Sequence, residues 1–245
     1  MKPKIYAMIP ARFGSQRLRL KNLALIQGKP LIYYAIQAAK KTNCFDKIII
    51  NSDHKIFSHI AKRYKVGFYK RPKQLGSSNT QSDDIVNDFI KKFSNCDIVT
   101  WVNPIAPLQE SNEIKEILKF FEKKNIDSLF TVENKKTHSN FNKKPLNYIR
   151  KSKFAKTQDL KEIQLFVYSL MIWRKKTFLK EFKKNKKAFF CGTTFFYPVK
   201  KMSSIIVKNI EDLKLADYLM KSKSKKFILK YDKILQSKKN KQWKK

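Results

Sequence analysis

The sequence predicts an α/β fold with a mostly parallel central sheet. Apolar runs of about five residues alternate with amphipathic segments of helix length through the first half of the chain. This rhythm is typical of strand–helix–strand units, whose crossover connections place the strands in parallel. With 245 residues, 42% of them hydrophobic and 13% aromatic, the chain can bury a core as one large or two small domains. A wholly disordered chain is thereby excluded.

Short apolar runs predict five strands, at residues 5–9, 47–51, 67–69, 97–102 and 127–132. Four amphipathic helices are predicted between them, at residues 30–41, 55–64, 82–93 and 112–123. Pro30 suits a first helical turn, because proline lacks the N–H that would stay unpaired there. Ser111 or Asn112 can cap the fourth helix. The order of these elements predicts consecutive crossover units.

The alternation stops after residue 132. Residues 133–162 are polar and form a stretch too long for an ordinary connection in a compact domain, which predicts an arm, a lid or an interface element. A strand-like run at 164–173, a short basic helix near 177–184 and a final helix at 211–220 follow. The aromatic residues at 189–190 and 195–197 predict a buried pair of strands rather than a base-stacking platform. A Lys-rich tail, 222–245, contains one amphipathic patch at 227–235.

The basic character of the chain comes almost entirely from lysine. Its formal net charge is +36, from 55 Lys and Arg against 19 Asp and Glu, and only seven of the basic residues are Arg. Proteins that read nucleic acid commonly use Arg as well as Lys, whereas Lys spread from end to end is typical of a solvated surface. Nucleic acid is therefore an unlikely partner, although a basic protein that binds RNA or an anionic surface remains an alternative.

The cysteines and the hydropathy pattern predict a soluble, cytoplasmic protein. The cysteines are three, Cys44, Cys96 and Cys191, without a C-x-x-C spacing, which fits a reducing compartment. No run approaches the ~18 apolar residues of a membrane span. The apolar stretch at 5–11 is stopped by Arg12 without a cleavage signal, so membrane insertion is not expected. The three histidines share no ligand spacing, and His54 and His59 are predicted to be surface residues.

The loop after the first predicted strand carries the most information about function. In open α/β sheets, ligands lie beyond the carboxyl ends of the strands. Residues 9–22 read I-P-A-R-F-G-S-Q-R-L-R-L-K-N, and residues 28–32 read G-K-P-L-I. Gly14 lets the backbone turn close to an anion, Ser15 offers a hydroxyl and an N–H, and Arg12 and Lys21 could straddle a triphosphate. A bare Gly-Ser beside basic residues is, by itself, more typical of a surface loop.

The whole string is far more specific, and it resembles the opening motif of the CMP-sialic acid synthetase family (N-acylneuraminate cytidylyltransferases and related CMP-ulosonic-acid synthetases). That motif reads I-P-A-R-x-G-S-K-x-x-x-x-K-N and is followed by G-K-P-L-I, so Gln16 stands in place of the first Lys. Similar segments follow in the family's order, at 49–53, 71–75, 80–86, 102–108 and 210–216. The resemblance covers about residues 5–132 and 203–220.

The resemblance implies a Rossmann-like nucleotidyltransferase fold of the nucleotide-diphospho-sugar transferase type. It implies a cytidylyltransferase-like domain over residues 1–221, with a dimerisation extension within 133–173 that is exchanged between the subunits of a homodimer. The implied partners are CTP and an ulosonic acid, whose anomeric hydroxyl attacks the α-phosphate of CTP while pyrophosphate leaves. This reaction depends on charge neutralisation and positioning more than on covalent chemistry.

The matched motifs also imply roles for individual residues. Arg12 and Lys21 would be the catalytic cations, and Ser15 would donate to a phosphate oxygen. Asn103 would take the place of a Gln near the base or sugar. The full set of implied nucleotide-binding residues is Ala11, Arg12, Gly14, Ser15, Lys21, Asn22, Arg71, Ser82 and Asn103.

Two departures from the family pattern bear on activity. The resemblance implies Mg²⁺ held by two aspartates, but Ile206 and Lys208 stand at those positions, so no metal ligand is assigned. The family's N-G-x-x-Y segment is replaced by Val-Tyr-Ser-Leu-Met at 167–171, where Val and Tyr would fill the space that Asn and Gly leave for the acceptor sugar. A nucleotide-binding relative with weak or no transferase activity is therefore the alternative to an active enzyme.

Overall fold

The structure is a computed structural model that describes residues 2–223 and 228–230. The predicted alternation of strands and helices is present in these residues. The strands are β1 (Ile5–Pro10), β2 (Leu25–Ile26), β3 (Lys29–Pro30), β4 (Lys47–Ser52), β5 (Gly67–Lys70), β6 (Ile98–Val102), β7 (Ser128–Lys135), β8 (Asn140–Phe141), β9 (Lys144–Pro145), β10 (Ile163–Arg174) and β11 (Thr194–Pro198). The α-helices are α1 (Leu31–Thr42), α2 (Ile56–Tyr64), α3 (Ser82–Lys92), α4 (Ser111–Lys123), α5 (Lys175–Asn185) and α6 (Ile210–Lys223).

Seven strands form one central sheet in the order β11-β7-β10-β6-β1-β4-β5. Strand β10 runs antiparallel to both of its neighbours, β6 and β7, and every other pair in the sheet is parallel. The predicted mostly parallel sheet is therefore confirmed. The short strands pair only as hairpins, β2 with β3 and β8 with β9.

The sheet is buried on both faces, which explains why its strands read as nearly continuous apolar runs. Along β1, Ile5, Ala7 and Ile9 join the core on one face, whereas Tyr6 and Met8 join the core on the other. Helices α1, α2 and α4 contribute to the first core, and helices α3 and α5 contribute to the second. Because helices cover both faces of the sheet, a functional site is expected at the edges where the strands end and the loops begin.

Three local predictions from the sequence are wrong. Helix α1 begins at Leu31, and Pro30 is its N-cap residue with φ −62°, outside the first turn. Helix α4 begins at Ser111, so Glu110, and neither Ser111 nor Asn112, is its N-cap residue. Residues 189–190 form a turn and no strand, because the carbonyl of Phe189 accepts the indole N–H of the buried Trp173 at 2.7 Å instead of pairing in a sheet.

The connection between β7 and β10 contains the exposed hairpin β8–β9. This connection carries large apolar side chains that are mostly exposed in the single chain: Phe141 (66%), Leu146 (59%), Ile149 (74%) and Phe154 (81%). Residues 133–135, at the end of β7, pair with residues 163–165, at the start of β10. This pairing extends past the neighbouring strands β11 and β6. Most of the Lys-rich tail and of its amphipathic patch, residues 224–227 and 231–245, lies outside the described residues. Within the described part of the chain, no helix has the length and apolar character to cross a bilayer.

Candidate functional site

Four loops that follow parallel strands meet at the carboxyl edge of the sheet. Arg12 comes two residues after β1, Asp53 directly follows β4, Arg71 directly follows β5, and Asn103 directly follows β6. Because these strands are adjacent and parallel, their carboxyl ends bring the four residues to one edge. The motif at residues 9–22 predicted a ligand site at this same edge.

Backbone hydrogen bonds continue the sheet into these loops. The N–H of Ala11 donates to the carbonyl of Asn51 at 2.9 Å, and the N–H of Arg71 donates to the carbonyl of Ser52 at 2.9 Å. Ala11 is fully buried, and its hydrogen bond to Asn51 fixes the start of the loop after β1. Two of the residues expected at the nucleotide are thus rigidly held by β4.

The guanidinium of Arg71 is buried beneath the edge, with only 2% of the residue exposed. Its Nη1 donates to the backbone carbonyl of Asn51 at 3.2 Å and to Asn51 Oδ1 at 3.3 Å, and its Nη2 lies 3.6 Å from Asp53 Oδ1. Burial lowers the pKa of Arg71, whereas Asp53 and Asp88 raise it and Arg12 lowers it further. Within the described structure, Arg71 Nε has no hydrogen-bond partner. Arg71 is therefore a fixed cation whose Nε–H donor is still unused.

Asp53 connects this cation to the loop after β1. Its Oδ1 accepts the backbone N–H of Phe13 at 3.1 Å and also faces Arg71. Gly76 packs against the same carboxylate, because a Cβ at that position would lie 2.5 Å from Asp53 Oδ2. Asp53 was not among the predicted site residues. Its position immediately after an apolar strand, like that of Arg71, was the signal that could have identified it.

His54 contributes to the same anchor and is not the surface residue that the sequence predicted. It is partly buried, its ring stacks on Phe13 at a centroid distance of 4.0 Å, and its Nδ1 accepts the N–H of Ile56. The stacking is possible because Asp53 already holds Phe13 against the end of β4. His59 is exposed, as predicted.

Lys21 lies at the centre of a group of positive charges. Its Nζ donates to the carbonyl of Val207 at 3.2 Å. Burial, followed by the charges of Arg17 and Arg12, lowers the pKa of Lys21 to about 8, with Lys208 acting in the same direction and Asp212 opposing it. We call Arg12, Arg17, Lys21 and Lys208 the cationic cluster. The charge of Arg12 also lowers the pKa of Arg71, so the cationic cluster and that buried cation act on each other.

The remaining loop residues occupy different environments. Gly14 is exposed, and no atom lies within 4 Å of a Cβ built on it. The N–H of Ser15 donates to the carbonyl of Phe13 at 3.0 Å, which leaves its hydroxyl as the group to offer a ligand. Asn22 is buried in the short 3₁₀ helix Lys21–Leu23. The binding roles of these three residues stay predictions.

The segment 205–208 joins the loop after β1 to the loop after β6. The N–H of Val207 donates to the carbonyl of Ile105 at 2.7 Å, while the carbonyl of Val207 accepts the ammonium of Lys21. Ile206 and Lys208, the residues at the positions of the expected metal ligands, flank Val207. That these positions correspond to the expected metal ligands stays a prediction.

The protein's own side chains do not fit the Mg²⁺ site that the resemblance implies. Ile206 has no ligand atom in its side chain, and the ammonium of Lys208 repels a divalent cation. Asp212 Oδ2 accepts the backbone N–H groups of Lys208 and Asn209 at 2.8 and 3.1 Å, which caps α6. Across residues 2–223 and 228–230, no group of three or more His, Cys, Asp or Glu could hold a metal ion.

A cleft of about 470 Å³ lies beside the segment 205–208. Asn103 fixes its wall: Nδ2 donates to the carbonyl of Tyr168 at 3.0 Å, and Oδ1 accepts the N–H of Ile105 at 3.4 Å. Ser82 and Asn103 both line this cleft, and their binding roles stay predictions. Its lining residues are Gln81, Ser82, Asp83, Trp101, Asn103, Ile105, Tyr168, Met171 and Phe189.

Comparison with known proteins gives consistent matches. A family model described as Cytidylyltransferase matches residues 6–230. The N-acylneuraminate cytidylyltransferase of Streptococcus agalactiae serotype V is 25% identical over 244 residues, which cover 94% of this chain and 57% of that protein. The enzyme of the same name from Escherichia coli O18:K1:H7 is 32% identical over 122 residues, which cover 50% of this chain and 29% of that protein. The chain thus spans less than two thirds of the length of these relatives.

Solved structures show the same fold at low sequence identity. A CMP:2-keto-3-deoxy-manno-octonic acid synthetase complexed with CTP aligns with a TM-score of 0.69 at 14% identity, covering 90% of this chain and 99% of that one. The 4-diphosphocytidyl-2C-methyl-D-erythritol synthase of Anaerococcus prevotii aligns with a TM-score of 0.60 at 11% identity, covering 89% of this chain and 99% of that one.

The lowered pKa of Lys21 gives a direct test of the cationic cluster. NMR of the lysine side chains, with the Lys21 signal identified by its loss in Lys21→Met, should show titration near pH 8. The folded state then releases this proton between about 8 and 10.5, while the unfolded chain still holds it, so the free energy of unfolding relative to Lys21→Met should rise over that window. A Lys21 that stays protonated to pH 10 would contradict the geometry described above.

Proposed function

The chain belongs to the cytidylyltransferase family, and from this premise we propose that it transfers CMP from CTP to the anomeric hydroxyl of an ulosonic acid, with release of pyrophosphate. The observation that carries the proposal is the convergence of Arg12, Lys21 and Arg71 at the carboxyl edge of the sheet, beside a cleft. Family membership gives the nucleotidyltransferase class, and the structure supports it with fixed positive charge where a nucleotide triphosphate would lie.

The proposed chemistry is electrostatic stabilisation of a phosphoryl transfer. As the sugar hydroxyl attacks the α-phosphate, negative charge grows on the phosphate oxygens and on the departing pyrophosphate. Arg12 and Lys21 would neutralise this charge, and the burial of Lys21 and its hydrogen bond to the carbonyl of Val207 limit the reorganisation of that ammonium. With a pKa of about 8, Lys21 is mainly protonated at neutral pH, and a bound triphosphate would raise that pKa.

The acceptor class is proposed from the relatives and from the cleft. The curated relatives are N-acylneuraminate cytidylyltransferases, which supports an acidic sugar of the ulosonic acid type. Ser82 lines the cleft and offers a hydroxyl group to such a ligand, while Asn103 holds the wall of the cleft through its own hydrogen bonds. We place the reaction in the cytoplasm, because CTP and reduced cysteines both belong to that compartment.

A pyrophosphate-release assay with CTP and either N-acetylneuraminic acid or 3-deoxy-manno-octulosonic acid tests the proposal. Arg12→Ala and Lys21→Ala should each lower kcat/KM by about 10² or more, because each removes a charge that is stronger in the transition state. Lys184→Ala is the matched control, since it removes an exposed lysine from α5.

The outcomes of this assay separate the alternatives. CTP binding without pyrophosphate release from either acceptor would favour a nucleotide-binding relative without transferase activity. Failure to bind CTP, together with RNA or anionic-vesicle binding that Arg12→Ala and Lys184→Ala weaken alike, would favour a nonspecific basic surface.

CTP binding should depend little on magnesium in the unmodified protein. The ammonium of Lys208 stands where the resemblance implies a carboxylate. Its single positive charge would neutralise part of the negative charge of a bound triphosphate. The double variant Ile206→Asp/Lys208→Asp should instead require magnesium for tight binding, as measured by calorimetry with and without the ion. Ile206→Asn/Lys208→Asn is the uncharged control. A large magnesium requirement for CTP binding by the unmodified protein would refute the idea that Lys208 replaces part of the charge of the ion. Asp212 would then be the candidate metal ligand.

We also propose that the chain forms a homodimer through the segment between β7 and β10. The exposed apolar residues Phe141, Leu146, Ile149 and Phe154 form the surface that a second copy would cover. Light scattering at micromolar concentration should give the mass of a dimer, and Phe141→Asp/Phe154→Asp should shift it towards the monomer. A monomeric unmodified protein would contradict this assignment.

A further inference from the structure

Helix α5 carries a row of lysines on its solvent side. Lys176, Lys180 and Lys183 are exposed and stand at positions i, i+4 and i+7, so they lie on one face of the helix. Phe178 and Phe182 are buried on the opposite side, in the core between α5 and the sheet. The row of lysines therefore points away from the sheet, into solvent.

Further exposed lysines adjoin both ends of this row. Residues 186–187, both lysines, follow directly after the helix. At the other end, Lys175 Nζ donates to the carbonyl of Ser94 at 2.6 Å, which holds the start of α5 beside the loop that follows α3. Helix α3 ends in two exposed lysines at residues 91–92. We call the following residues the lysine face: Lys91, Lys92, Lys176, Lys180, Lys183 and Lys187.

The positive charge of α5 is not balanced by acidic residues. Among the described residues, no lysine of α5 forms an ion pair, and Glu181 is the helix's one acidic residue. Helix α4, on the other face of the sheet, has three Lys interspersed with three Glu. The high lysine content of the chain as a whole therefore does not account for the unbalanced row on α5.

The stability of the helix does not account for the row either. The first turn of α5 contains Lys175 and Lys176 and no acidic residue, although the amino-terminal end of a helix favours negative charge. Like charges four residues apart, such as Lys176 and Lys180, also disfavour a helix. Only the lysines of the last turn have a favourable position relative to the helix dipole. A binding role accounts for charges that the helix itself does not favour.

The chemistry of the lysine face matches the anionic surface of a lipid bilayer. Clusters of about four to eight basic residues on an amphipathic helix are typical of proteins that bind anionic lipids. The cations of the face are all Lys, whereas proteins that bind nucleic acid commonly use Arg as well. Phe190 is 54% exposed and lines a recess of about 420 Å³ together with Lys187. Exposed aromatic rings beside lysines are typical of proteins that lie on a membrane surface.

We propose that the lysine face docks the protein on anionic lipid bilayers through electrostatic attraction to the headgroups. Each lysine near such a surface strengthens binding by roughly fivefold, and the attraction falls within a screening length that shortens as salt is added. The lysine face shares no residue with the cationic cluster. Docking therefore uses residues other than those proposed to bind the triphosphate, and the inference does not rest on the proposed function.

Sedimentation of the full chain with lipid vesicles tests the inference. The unmodified protein should bind vesicles of equal parts phosphatidylglycerol and phosphatidylcholine, and should not bind phosphatidylcholine alone. Raising the salt from about 0.1 M to about 1 M should release it, because the screening length falls from about 10 Å to about 3 Å. Lys176→Gln/Lys180→Gln/Lys183→Gln should weaken binding about 100-fold, whereas Arg at the same three positions should preserve it.

The matched control removes the same charge from the opposite layer of the protein. Lys115→Gln/Lys119→Gln/Lys123→Gln takes three exposed lysines from α4 and should change vesicle affinity by less than about threefold. Circular dichroism should show the same helix content in both glutamine variants, since all six side chains are exposed. Vesicle binding is measured without CTP, so a failure of the proposed function leaves this test unaffected.

Four results would overturn the inference. Equal loss of binding in the two glutamine variants would show that only net charge matters. Unchanged binding in the α5 variant would place the contact elsewhere on the chain, and loss of binding in the arginine variant would exclude an electrostatic contact. If the unmodified protein binds RNA and not the anionic vesicles, and the α5 variant alone weakens RNA binding, the lysine face would be a nucleic-acid surface instead.

Discussion

The buried pair between Arg71 and Asp53 is the constraint on which the candidate site depends. One guanidinium nitrogen lies 3.6 Å from the carboxylate, while the same carboxylate oxygen accepts the N–H of Phe13. Breaking a buried pair by removing one partner typically costs 3–5 kcal/mol, because the other charge is left without compensation. Moving the loop that carries Arg12 away from β4 and β5 would therefore break the hydrogen bond from Phe13 to Asp53 and leave the carboxylate that compensates Arg71 with one donor fewer.

The cationic cluster favours the binding of an anion because its positive charges repel one another. Lys21 has lost part of its contact with water, and three neighbouring cations further disfavour its charged form. The Asp212 carboxylate offsets only part of this repulsion while it caps α6. A polyphosphate would relieve the repulsion, so its binding would also stabilise the fold by linkage.

The two departures from the family pattern lie on either side of one hydrogen-bonded bridge. Val207 is bonded to Lys21 on one side and to Ile105 on the other, so Lys208 belongs to the cationic cluster and Tyr168 belongs to the adjoining cleft. Both departures replace a small or acidic residue with a larger or basic one. Both positions lie on a fold that the solved structures share.

The sequence by itself determined the order of strands and helices, the mostly parallel sheet and the place of the loop at residues 9–22. These features depend on periodicity and on neighbouring residues, which a single sequence displays. The tertiary structure decided the partners of Asp53, the structural hydrogen bonds of Asn103 and the left-handed backbone of Tyr168, whose φ is +56°. It also turned residues 189–190 away from a strand, because Trp173 needed an acceptor for its buried N–H. These contacts join residues 16 to 186 positions apart, and only the assembled sheet and its loops bring such residues within hydrogen-bonding distance.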